Sequence, residues 1–298
     1  MSRRILIMAV AVLIAFAGGL GLEADRTILA QDATPAAEPV VVIVDAMPEY
    51  LAVEIVPNVV AAPAVMELVR VTLAPGAVLA FPERRDSEPM ILVEAGTMTA
   101  RIDAPLTINR ERPGGEREEI AAGIEFIANM GDFFVGPATG AVEARNEGTA
   151  PLALLVFQIN PVSEGTPAAG QPPAGVESDI LAMAVTDAIP PAPALLEMIR
   201  FTFAPGGYVE LPETSPATAL IHVESGEMAV TMGAAAVVER SAPGAAEPER
   251  DEYAAGTEFM VAAGQSMIGQ PYAAVDARND GDEPLVIFMA VIQPAPAP

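Results

Sequence analysis

This chain offers one imidazole and a scatter of carboxylates as candidate metal ligands or acid–base groups. His222, its only histidine, lies in Ala219-Leu220-Ile221-His222-Val223-Glu224, so any site needing two imidazoles from one chain is excluded. Cysteine and lysine are both absent, which removes thiolate nucleophiles, thiolate metal sites, disulfides, cysteine lipidation and Schiff-base chemistry. A charged cluster holds Glu83, Arg84, Arg85, Asp86 and Glu88. Three carboxylates there could hold a divalent cation, but interleaved with two guanidiniums they read as a solvated loop. No Gly-x-x-x-x-Gly-Lys loop, His-Glu-x-x-His string or Ser-His-Asp order is present. The methionines Met90, Met130, Met228, Met260 and Met267 form no Met-x-Met cluster and read as core filler.

The bulk of the chain sets the frame for these residues. Its 298 residues suffice for two domains, and 52% hydrophobic against 18% charged residues implies a buried core. A formal net charge of −25 argues against a nucleic-acid partner and against a basic membrane-surface role. Met1-Ser2-Arg3-Arg4 followed by the apolar run Ile5–Ile14 has the layout of a secretory signal. Cleavage is expected after Ala17 or after Ala30, giving an extracytoplasmic protein, either secreted or held in the cell envelope. The alternative is a retained membrane anchor over residues 5–22, which is short for a span and holds three glycines. The membrane is a partner only in that second case.

An internal repeat is the strongest signal. Leu68-Val69-Arg70-Val71-Thr72-Leu73-Ala74-Pro75-Gly76 matches Met198-Ile199-Arg200-Phe201-Thr202-Phe203-Ala204-Pro205-Gly206 at an offset of 130 residues. Val93–Met98 matches Val223–Met228 at the same offset, whereas Ala122–Phe126 and Ala144–Gly148 match Ala255–Phe259 and Ala277–Gly281 at 133. The three extra residues fit the polar loop 241–252, where insertions cost little. The expected division is a signal over 1–30, a Pro/Ala linker over 31–47, one unit over 48–162, a second linker over 163–178 and another unit over 179–294. Val40–Val44 has the composition of a first strand. Val69–Leu73, Met90–Glu94, Phe133–Val135 and Leu152–Ile159 read as strands punctuated by Gly, Pro, Asn and Asp. About ten short strands per half predict an all-β sandwich or barrel. Glu67/Glu197, Arg70/Arg200, Glu125/Glu258 and Arg145/Arg278 recur in both halves and are expected to make cross-strand ion pairs or hydrogen bonds that fix register.

The turn residues resemble the two motifs of the cupin superfamily. The first runs from a Gly through His-x-His and Glu to a second Gly; the other runs from Gly through Pro-x-Gly and His to Asn. Gly76, Pro82, Arg84, Pro89 and Gly96 fall at the first spacing, and Gly131, Pro137, Thr139, Val142 and Asn146 at the second. In the other half the two series are Gly206, Pro212, Thr214, Ala219, Gly226 and Gly264, Gln270, Tyr272, Val275, Asn279. The resemblance covers most of residues 48–162 and 179–294. It implies two tandem jelly-roll β-barrels, a bicupin, facing each other across a pseudo-twofold axis.

The resemblance also implies where a metal would sit, and there this chain departs from the pattern. Imidazole and carboxylate are the donors that suit divalent iron, manganese or zinc. Their positions inside the barrels are held by Pro82, Arg84, Pro89 and Val142, then by Pro212, Thr214, Ala219 and Val275. None is the expected ligand, so neither a catalytic residue nor a metal or other cofactor is assigned. Alternation along the strand from Ala219 turns His222 away from the barrel interior, toward a structural or interface role. The expectation is a non-enzymatic exported protein, with a small molecule of unknown identity and a homodimer as the partners left open. The other readings are a metal-independent enzyme on a sugar-like substrate, which in similar epimerases needs a His base, and a protein-interaction module.

Overall fold

The computed structural model describes residues 41–81, 87–162, 173–240 and 249–296, all strand, turn and loop. The first half contributes β1 (Val42–Val56), β2 (Ala64–Leu73), β3 (Val78–Phe81), β4 (Met90–Ala95), β5 (Thr97–Ile102), β6 (Leu106–Asn109), β7 (Arg117–Ile120), β8 (Glu125–Asn129), β9 (Phe133–Val135), β10 (Val142–Arg145) and β11 (Leu152–Pro161). The second contributes β12 (Val176–Thr186), β13 (Ala194–Leu211), β14 (Thr218–Ser225), β15 (Glu227–Met232), β16 (Ala236–Arg240), β17 (Glu249–Tyr253), β18 (Glu258–Ala262), β19 (Gln265–Gly269), β20 (Val275–Arg278) and β21 (Leu285–Pro294). Each half folds a larger sheet onto a smaller one. In the first these are β12-β2-β11-β4-β9-β6-β7 and β3-β10-β5-β8. In the second the same two layers are joined into one sheet because β13 runs through both.

Alternation along these strands divides the apolar residues among three cores. Met98, Ile102, Phe126, Phe134 and Leu152 fill the first barrel, and Phe203, Met228, Val230, Val261 and Ile287 fill the second. A third core joins the two halves: Met66, Leu68, Phe133 and Phe157 of the first pack with Leu196, Met198, Leu220 and Phe288 of the other.

The outermost strands are exchanged. β1 belongs to the first half in sequence but pairs antiparallel with β13, from Val42 opposite Glu210 to Val56 opposite Ala194. β12 reciprocates by pairing with β2 of the first barrel, from Val176 opposite Leu73 to Thr186 opposite Ala64. This corrects the linear division of the chain, because β1 begins inside the expected 31–47 linker and β12 inside the 163–178 linker. β17 likewise begins at Glu249, inside the stretch read as a loop.

The expected equivalence of β2 and β13 fails in length, and one residue explains it. β2 stops at Leu73, and β3 starts after a turn, whereas β13 continues through Pro205-Gly206-Gly207 to Leu211. The pairing jumps from Val44 opposite Tyr208 to Ala46 opposite Phe203, so β13 bulges over residues 204–207 against the single residue Asp45 (φ 47°) and stays paired with β1 on both sides. A Cβ on Gly207 would lie 2.4 Å from the Asp45 carbonyl oxygen, so only glycine admits the crossing. The first half has Ala77 at that position.

Candidate functional site

The motif glycines and asparagines form the same lock in both barrels. Asn146 is 1% exposed; its Nδ2 donates to the carbonyls of Leu73 (2.8 Å) and Ala150 (2.9 Å), and its Oδ1 accepts from Gly148 N (3.0 Å). Asn279, also 1% exposed, donates to Phe203 O (3.1 Å) and Glu283 O (2.8 Å) and accepts from Gly281 N (3.0 Å). The amide of the opening glycine of the first motif then donates to the asparagine carbonyl: Gly76 to Asn146 and Gly206 to Asn279, both at 2.8 Å. The closing glycines Gly96 and Gly226 have φ of 83° and 86° and lie tightly against Leu152 and Leu285. Only a buried group that both donates and accepts closes this junction, which is what a carboxamide supplies.

Val142 packs into the first barrel core and Ala219 into the second; Pro89 is buried, and Val275 packs half-buried against the second core. Pro212 is half-buried. Thr214 corrects the expectation of an interior position: β13 ends at Leu211, Pro212 cannot extend its ladder, and Glu213-Thr214 turn outward into solvent. Pro82 and Arg84 lie outside the described residues, as do Glu83 and Asp86; Glu88 accepts a hydrogen bond from Asn58 at 3.2 Å. Among the described residues, no three His, Asp or Glu side chains are grouped to hold a metal ion. Proline, valine and alanine side chains have no donor atom, so the motif positions described here do not fit a divalent cation.

The recurring polar residues do make cross-strand contacts. Arg145 is clamped by Glu125, Glu143 (2.8 Å) and Glu147 (3.3 Å), and Arg278 by Glu258 (2.7 Å), Asp276 (3.5 Å) and Asp280 (3.3 Å). These carboxylates raise both guanidinium pKa values. Glu67 accepts from Gln158 (2.5 Å) and Asn160 (2.7 Å), and Glu197 from Gln293 (2.9 Å). Met130 and Met260, read as core filler, are instead exposed; Met90, Met228 and Met267 are buried.

Two features of the second barrel were not anticipated. Glu197 is 6% exposed on the face of β13 that carries Ile199 and Phe201, and burial pushes its carboxyl pKa up. Tyr50 packs against the same core; burial first, then the Glu197 charge, raises its phenol to about 12. The recurrence of Glu67 and Glu197 was visible in the sequence, but Tyr50 reaches this wall only because β1 is exchanged. Because the native state binds the Glu197 proton more tightly than the unfolded chain does, this group costs stability once pH rises above its unfolded value. Glu197→Gln is therefore expected to stabilise the protein at neutral pH, with the gain vanishing in acid below the ordinary carboxylate range. Urea unfolding of both proteins across pH measures this. The second feature is an open groove of about 420 Å³ on the second barrel, lined by Leu211, Pro212, Met232 and Val275 together with Glu210 and Asp276.

His222 faces away from the barrel core, as alternation predicts. Ile221 and Val223 lie in that core, while His222 sits opposite Phe288, whose ring is in the shared core. It is 6% exposed; its Nε2 is 3.7 Å from Glu224 Oε2, and its Nδ1 is buried with no hydrogen-bond partner. His222 and then Arg70 hold the Glu224 carboxyl below the usual range.

Two repeated jelly rolls, each closed by the same Gly-to-Asn lock of the two motifs, decide the architecture. The fold is that of a bicupin. No family model matches the chain, and no curated protein matches it. Among solved structures, the chain is similar to pumpkin seed globulin (13% identity, 78% of each chain covered, TM-score 0.44). It is also similar to the 11S allergen of Cocos nucifera (10% identity, 78% of this chain and 82% of that one, TM-score 0.42). A third likeness is to a cupin 2 conserved barrel domain protein from Leptotrichia buccalis (14% identity, 80% and 92% covered, TM-score 0.32).

Proposed function

We propose that this bicupin is an exported, non-catalytic protein whose barrels serve as apolar cores, and that any small ligand binds at a barrel mouth rather than on a metal inside. The observation that carries this reading is that Val142 and Ala219, whose side chains have no donor atom, pack into the barrel cores at positions where a metal-bearing cupin would place imidazole or carboxylate. The groove beside Pro212 and Val275 supports the location of a ligand. Its mainly apolar lining with two carboxylates suits a small, mainly apolar molecule with a hydrogen-bonding or cationic edge. The basic and apolar residues at the N-terminus support export. Metal analysis of the purified protein tests the reading, with content well below one equivalent per chain expected.

A further inference from the structure

We propose that the junction between the two barrels is a docking surface specialised for pairing the first half with the second, and that it holds them together without the chain that links them. The proposal does not depend on what the barrels bind. Its frame is reciprocal: β1 and β12 carry the repeat-equivalent segments Leu51-Ala52 and Leu181-Ala182, and each adds to the other half's sheet. Arg70 bonds Glu94 at 2.7 Å within the first half and reaches Glu224 across the junction at 3.4 Å. The equivalent Arg200 reaches Glu94 in return at 3.7 Å. A surface with these contacts is self-complementary, as at a twofold interface.

Specificity comes from where the two halves differ. Leu92 opposite Leu155 in the first half is replaced by His222 opposite Phe288 in the second. The Phe288 ring lies beneath both pseudo-symmetric guanidiniums, with Arg70 5.6 Å and Arg200 4.9 Å from its centroid. A pair of first halves would offer no ring to either arginine. A pair of second halves would place two Phe288 rings and two His222 side chains where the mixed pair holds one of each, and such overpacking is destabilising. One ring between two guanidiniums fits only the mixed pair.

The test uses the full chain with a protease site inserted between residues 163 and 172. After cleavage, native mass spectrometry and size exclusion are expected to find a single 1:1 complex of the two fragments that persists on dilution. A second form, cut in the same way, carries His222→Leu and Phe288→Leu, which give the second half the residues of the first. Its fragments are expected to separate at least about tenfold more readily, since buried aromatic anchors dominate such interfaces. Fragments of the unsubstituted protein that separate in native buffer, or re-sort into pairs of like halves, would overturn the proposal. So would a doubly substituted form that holds together as firmly as the parent. If that form does not fold, the unsubstituted protein alone still decides.

Discussion

Asn146→Ala lowers the stability of the protein by about 2–6 kcal/mol: about 1–3 kcal/mol for the buried Leu73 carbonyl left unpaired, and about 0.5–1.5 kcal/mol for each of the part-buried bonds to Ala150 and Gly148. The side chain is 1% exposed and serves three backbone groups at once: the carbonyls of Leu73 and Ala150 and the amide of Gly148. Alanine supplies nothing to any of them, and water can take its place only at the exposed residues Gly148 and Ala150. Asn146→Asp should fail nearly as badly, because a carboxylate set against two carbonyl oxygens accepts and cannot donate. Asn279→Ala repeats the experiment in the other barrel, where the partners are Phe203 O, Glu283 O and Gly281 N. Urea unfolding measures all three variants. A loss under about 1 kcal/mol for either alanine variant would mean that the lock does not close its barrel.

Phe288→Ala carries a comparable penalty of about 3–5 kcal/mol, the usual range for deleting a buried phenylalanine. Its distribution is the more informative part. The ring is 2% exposed and packs in the core shared by both halves, beneath Arg70 as well as Arg200. Its loss should loosen the first barrel along with the second. Hydrogen exchange read peptide by peptide should therefore show β4 and β11 losing protection together with β14 and β21. Loss confined to β14 and β21 would show that the shared core does not couple the halves.

Much of this molecule is legible in the sequence, for local reasons. Gly76, Gly96, Gly131, Asn146 and their counterparts mark turns whose geometry few residues tolerate, so they reveal both the repeat and its motifs. Proline, valine and alanine at the ligand positions declare the missing donors without any structure. Strand exchange is not legible in that way. β1 and β12 have the same apolar composition, and nothing within either names the barrel it joins; that choice is made by contacts more than a hundred residues away. Gly207, set against Ala77, was the one local trace, and its meaning emerges only when Asp45 is seen crossing it. Thr214 was misplaced because motif spacing ignores where Pro212 ends β13. Tyr50 beside Glu197 was missed because the two residues meet across the exchanged strand.

The proposed absence of a catalytic metal from these barrels is checked by elemental mass spectrometry of the purified protein, produced with iron, manganese and zinc supplied and then dialysed. Each metal is expected well below one equivalent per chain. A stoichiometric metal that survives dialysis would overturn the proposal.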